Sequence, residues 1–154
     1  MKKTAPSILI IVSLFCFAAL PEAHAVVPAP DGGYLGQNTA EGQAALLALS
    51  SGTYNTGVGY FSLLNNTTGS FNTALGAATL AFNTTAQENT AIGAGALLSN
   101  TTGEFNTANG ALALLSNTTG IKNVAVGSSA LTANLDASFN TAIGSDALIA
   151  NAGG

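Results

Sequence analysis

From Asn38 to its last residue this chain of 154 residues repeats with a fixed period of 17. The string Asn-Thr-Ala-x-Gly, or a close variant of it, opens at Asn38, Asn55, Asn72, Asn89, Asn106, Asn123 and Asn140. Six copies are complete, and the seventh ends two residues short, at Gly154. A fixed period of this length points to a solenoid. Each unit is one supersecondary element that cannot bury its apolar face alone and does so against its neighbours in the stack. An ordinary closed globule, whose core comes from unlike segments, does not fit this pattern.

Numbering each copy 1 to 17 from its first Asn turns the repeat into columns. Position 1 is Asn, position 5 is Gly and position 9 is Leu in every copy, as in Asn89, Gly93 and Leu97. Position 4 is mostly branched and apolar (Val58, Leu75, Ile92, Val126, Ile143), with Glu41 and Asn109 as exceptions. Position 12 is Asn in six copies, usually within Asn-Thr-Thr-Gly. Position 17 is often aromatic: Tyr54, Phe71, Phe105 and Phe139.

The short alternating string at positions 2 to 4 predicts a strand. Position 2 is Thr except at Val124. Thr and Val have nearly the same shape, so positions 2 and 4 are expected to point inward together, with Ala at position 3 facing out. The position 5 Gly supplies a turn of positive φ or a close approach of two coils. Asn-Thr-Thr-Gly forms a second corner. Between the corners runs Gly-x-x-Ala-Leu-Leu or a variant, whose Ala and Leu favour one helical or 3₁₀ turn. The expected core is the Leu column at position 9 with the apolar column at position 4, joined by the aromatics at position 17. Identical amides one rung apart at position 1 can hydrogen-bond along the stack. The resulting fold class is an all-β repeat protein, a parallel β-solenoid of seven 17-residue coils with short helical or 3₁₀ turns, about 34 Å long at ~4.8 Å per rung.

Residues 1–25 read as a secretory signal peptide. Lys2 and Lys3 precede an apolar run from Ile8 to Leu20, too short for a comfortable bilayer span, and Ala23-His24-Ala25 is a small-x-small cleavage site. Cys16 follows the bulky Phe15, which argues against lipidation. Residues 26–37, with Pro28, Pro30, Gly32 and Gly33, read as a linker, and residues 38–154 as the repeat domain. Cleavage after Ala25 removes the only His and the only Cys and leaves Lys122 as the single base against six acids. The mature chain is therefore expected outside the cytoplasm, secreted or at the cell surface, with no membrane span and no disulfide.

That inventory restricts the chemistry. Charged residues make up 6% of the chain, against roughly 25% in an ordinary domain, and the acidic balance excludes a basic nucleic-acid footprint. Without His, nucleophilic catalysis lacks its commonest base. Glu88 and Glu104 stand on adjacent coils, but a solvated face with a weak ion pair to Lys122 explains them better than a glycosidase pair. The acids are scattered over different columns, so no metal site is expected. Asn66, Asn83, Asn100 and Asn117 match the glycosylation acceptor pattern, though their place at the repeat corner favours turn chemistry. No catalytic, cofactor-binding or metal residue is assigned, no cofactor is expected, and the chain is read as a non-enzyme.

Asn89-Thr-Ala-Ile-Gly93, Asn123-Val-Ala-Val-Gly127 and Asn140-Thr-Ala-Ile-Gly144 resemble the head repeats of trimeric autotransporter adhesins, the YadA-like heads. The 17-residue form with Asn-Thr-Thr-Gly corners is also similar to repeats of other bacterial surface proteins and of phage tail-fibre-like proteins. The resemblance implies a left-handed β-roll, three copies packed side by side, and adhesion to host matrix, glycan or cell surfaces. No binding residue transfers with the motif. Such adhesins also carry a coiled-coil stalk and an anchor barrel, and no heptad pattern occurs here. A free secreted protein, or a truncated fragment of a larger surface or tail-fibre-like protein, is the corresponding expectation. The expected function is thus a structural or adhesive one, presenting a repetitive, multivalent surface. Its rival is an ice-binding solenoid, which needs an outward Thr face; the inward reading of position 2 speaks against that.

Overall fold

A computed structural model describes residues 36–151. The signal segment and all of the linker up to residue 35 lie outside the described residues. Each copy of the repeat makes one three-residue strand: β1 (Thr39–Glu41), β2 (Thr56–Val58), β3 (Thr73–Leu75), β4 (Thr90–Ile92), β5 (Thr107–Asn109), β6 (Val124–Val126) and β7 (Thr141–Ile143). The strands form a single parallel sheet in chain order. Equivalent residues pair throughout, from Thr39 opposite Thr56 to Ile143 opposite Val126. The chain is a parallel β-solenoid with a rise of one coil per 17 residues.

Backbone pairing between coils extends well beyond the sheet. Position 9 donates its N–H to the position 8 carbonyl of the following coil, as Leu97 does to Ala113 at 3.0 Å. Position 17 donates to the position 16 carbonyl of the preceding coil, as Tyr54 does to Gly36 at 2.8 Å. The Gly36 carbonyl thereby already pairs with the end of the first coil, from ahead of the first Asn. This ring of bonds satisfies the backbone of a coil too small to satisfy it within itself.

The core follows the Leu column but not the position 4 column. Leu63, Leu80, Leu97, Leu114 and Leu131 are fully buried, and they pack on Ala at positions 3 and 8. Leu148, with no coil after it among the described residues, is 52% exposed. The strand has the opposite parity to the one expected from Thr–Val equivalence. Ala74, Ala91, Ala108 and Ala125 at position 3 are completely buried, while Val58, Leu75 and Ile92 at position 4 are each 37% exposed. The reason is the thinness of the coil. A methyl placed on Gly57 would meet Leu46 Cγ and the Ser62 carbonyl oxygen at 3.5 Å, ordinary contact distance. Position 3 has room for a methyl group, whereas an inward Leu or Ile would need space that the opposite wall occupies. The aromatics at position 17 are also outside the core, with Phe71 54% exposed.

No helix forms among the described residues; the Ala-Leu segment is a run of turns. Position 8 donates to the position 5 carbonyl, and position 12 to that of position 9, as Asn66 does to Leu63 at 3.1 Å. Between these turns the Leu of position 9 is left-handed in all seven coils, with φ from 49° to 53°. A bulky residue with positive φ is a backbone outlier, and one such residue per turn interrupts the run of negative φ that a helical turn requires. Tertiary packing outweighs the helix propensity of Ala and Leu.

Candidate functional site: the outer face of the sheet

Along each strand and the residue leading into it, exposure alternates. Position 17 is out, Asn at 1 is in, 2 is half out, 3 is in and 4 is out in most coils. Every rung therefore presents one short row: Gln37-Thr39-Glu41, Tyr54-Thr56-Val58, Phe71-Thr73-Leu75, Glu88-Thr90-Ile92, Phe105-Thr107-Asn109, Lys122-Val124-Val126 and Phe139-Thr141-Ile143. The in-register parallel ladder stacks these rows into a face with an aromatic edge, a central Thr column and an aliphatic column. Sequence reading misplaces this face because it assigns positions 2 and 4 to the interior. The signal that locates it is column tolerance. Position 3 is never larger than Ala, while position 4 accepts Glu41 and Asn109.

Two amide ladders hold the face from behind. At position 1, each Asn Oδ1 accepts the backbone N–H of the next Asn, 2.8 Å for Asn38 to Asn55 and 3.0 Å for Asn55 to Asn72. At position 12, Asn83, Asn100, Asn117 and Asn134 each donate to the Oδ1 of the Asn before, at 2.8–3.0 Å. Both ladders close on the same carbonyl in each coil from the second to the sixth. Gly103 O accepts from Asn89 Nδ2 and Asn100 Nδ2, each at 2.9 Å. The first ladder is the one expected from stacked amides; the second lies where the sequence suggested only a corner. Buried polar groups are stable only when bonded, and here repetition supplies the partners. Asn100→Ala should lower stability by roughly 2–5 kcal/mol in denaturant unfolding, because it leaves both Asn83 Oδ1 and Asn117 Nδ2 short of a buried partner.

The aromatic edge is held together by contacts along the stack. Tyr54 and Phe71 lie with ring centroids 5.0 Å apart and planes 11° apart. Lys122 Nζ sits 5.8 Å from the Phe105 centroid and 5.4 Å from that of Phe139. Lys122 thus bridges two rings by cation–π attraction, in place of the expected ion pair with Glu88 or Glu104.

A second repeated surface is the Asn-Thr-Thr-Gly corner. The first Thr turns its hydroxyl to the next coil: Thr67 to the Thr84 carbonyl at 3.0 Å, Thr84 to Thr101 at 3.1 Å and Thr101 to Thr118 at 3.1 Å. The second Thr (Thr68, Thr85, Thr102, Thr119) is exposed. Asn66, Asn83, Asn100 and Asn117, which match the acceptor pattern for glycosylation, are completely buried, as turn and ladder chemistry requires. Among the described residues no three His, Cys, Asp or Glu side chains come together, and no helix is long and apolar enough to cross a membrane. Comparison with protein-family models, with curated proteins and with solved structures finds no match.

Proposed function

We propose that this chain is a non-enzymatic, exported structural or adhesive protein, in which the sheet face joins three copies and the rest of the periphery presents a repeated surface to host matrix, glycan or cell. The observation that carries this reading is the recurrence of one outward row on successive rungs. Many weak, equivalent contacts give avidity without a deep pocket. The likeness of the Asn-Thr-Ala-x-Gly strings to adhesin heads supports it, as does a sequence that from Val26 onward lacks His and Cys. Exposed Val58, Leu75, Ile92 and Ile143 lie in one column, interrupted only by Asn109 from the second coil on, and an exposed apolar stripe of this kind marks an interaction surface. In projection the face measures about 34 Å by about 16 Å, roughly 540 Å². That is below the ~800 Å² per partner of a standard two-body interface, and the three-copy arrangement is taken from the likeness to adhesin heads.

Sedimentation of the chain from Val26 onward should give a trimer at micromolar concentration; a clean monomer would remove the assembly. Binding to a panel of matrix proteins, glycans and cells should then be saturable and should strengthen as whole 17-residue units are added. A flat response to coil number would end the multivalent reading. A second reading, ice binding, is favoured by one observation: the Thr column at position 2 lies on the outer side of the sheet, where an ice-binding face requires it. A trimer that covers this face predicts no activity in an ice-recrystallisation assay, and a monomer that inhibits recrystallisation would select the second reading.

A further inference from the structure

We propose that Asn109 sets the register and orientation of the copies across the sheet face, as the one polar layer flanked on both sides by aliphatic ones in its column; this rests on the homotrimer reading above. From the second coil to the seventh the position 4 column reads Val58, Leu75, Ile92, Asn109, Val126 and Ile143. Asn109 pairs through its strand with Ile92 on one side and Val126 on the other. The ladder asparagines at positions 1 and 12 are bonded within the chain, but the Asn109 amide makes no hydrogen bond to the described residues and projects outward. Nothing in the fold of a single coil calls for it there. Val, Leu and Ile occupy the same place in five other coils, and an extended strand favours them over Asn.

Its value appears when a second copy covers the face. In parallel, in-register packing Asn109 meets Asn109, and each amide can donate to and accept from its equivalents. Val58, Leu75, Ile92, Val126 and Ile143 then meet their own kind, and Glu41 meets Glu41 in the first coil, where it is only partly buried in the single chain. A slip of one rung sets the amide against Ile92 or Val126 and leaves it buried and unpaired. A full-length antiparallel arrangement sets it against Leu75 and puts Glu41 on Ile143. An antiparallel pair centred on Asn109 also matches the amides, but it overlaps only five coils and leaves Val58 uncovered. It also has two-fold symmetry and cannot close three copies, whereas a three-fold ring holds them parallel. A lone polar residue in an apolar seam acts in the same way in coiled coils, where it specifies register at some cost in stability.

Disulfide trapping tests this directly, since the chain from Val26 onward contains no Cys. Oxidation of Val58→Cys should give a homodisulfide, since Val58 meets Val58 in the parallel in-register pairing and Val126 in the full-length antiparallel one. A mixture of Leu75→Cys and Ile92→Cys chains, which reports a one-rung slip, should give little mixed product, as should Leu75→Cys with Ile143→Cys, which reports the antiparallel pair centred on Asn109, and Val58→Cys with Val126→Cys, which reports the full-length antiparallel pair. Adding Asn109→Ile to the Leu75→Cys and Ile92→Cys chains should raise the slipped product by about ten-fold, the population ratio that goes with leaving a buried amide unpaired. Asn109→Gln, which keeps an amide, should not. The substitution site is exposed and isoleucine suits a strand, so folding is retained, and circular dichroism checks it. Two results would overturn the inference: a slipped product that is the same with Asn109 and with Ile, or a dominant antiparallel product. If the trimer persists with such a pattern, only the role of Asn109 falls. A monomer with no homodisulfide removes the assembly and this role together.

Discussion

Gly93→Ala should destabilise the solenoid by roughly 2–6 kcal/mol, the sum of backbone strain and overpacking at one site. Gly93 has φ of 115°, and the seven position 5 glycines span 115° to 146°, outside the range that L-residues adopt at low cost. A Cβ built there would lie 2.7 Å from the carbonyl carbon of Gly110 on the next coil. That neighbour is backbone inside the inter-coil ladder and cannot swing aside. Gly95 provides the internal control. Its φ is 68°, but the same position carries Ala44, Phe61, Ala78, Leu112, Ser129 and Asp146 in the other coils, at 56° to 60°. Gly95→Ala should therefore cost only the roughly 1–2 kcal/mol of one left-handed L-residue, since its added Cβ would meet nothing closer than the end of the Leu112 side chain, at 3.0 Å. Urea or thermal unfolding of the two variants side by side measures the difference. Equal effects would mean that the close approach of coils at position 5 does not constrain the fold.

Leu97→Ala should lower stability by roughly 2–5 kcal/mol, the range for deleting a fully buried Leu side chain from a core that cannot collapse around the cavity. Leu97 is completely buried and packs among position 3 and position 8 alanines that have no side chain length with which to refill the space. The matched control is Leu148→Ala. The same column position in the last coil is exposed, so its truncation should stay within about 0.5 kcal/mol. A large loss at Leu148 would indicate that something outside residues 36–151 covers it. A small loss at Leu97 would place the core elsewhere.

The period of 17, the Asn in position 1, the Gly in position 5 and the Leu in position 9 are legible in the chain alone, because each marks a requirement that recurs in every coil. Periodicity gives parallel stacking. Stacked amides give a ladder, and a residue type that never varies gives a turn or a core contact. The same columns do not reveal which side of a three-residue strand faces in. Alternation is symmetric under a shift of one residue, and that shift exchanges the two faces completely. Thr at position 2 and Val124 in its place fit either side. Only the distance between the strand and the Ala-Leu wall decides it: with room for a methyl group and no more, Ala40, Ala74 and Ala91 go in, and Thr73, Leu75 and Ile92 go out. The outer face and the exposed amide of Asn109 follow from that one dimension. So does the loss of the expected helical turn. Closing a coil in 17 residues places Leu97 and its equivalents at positive φ, a conformation their local propensity opposes and the packing of neighbouring coils imposes.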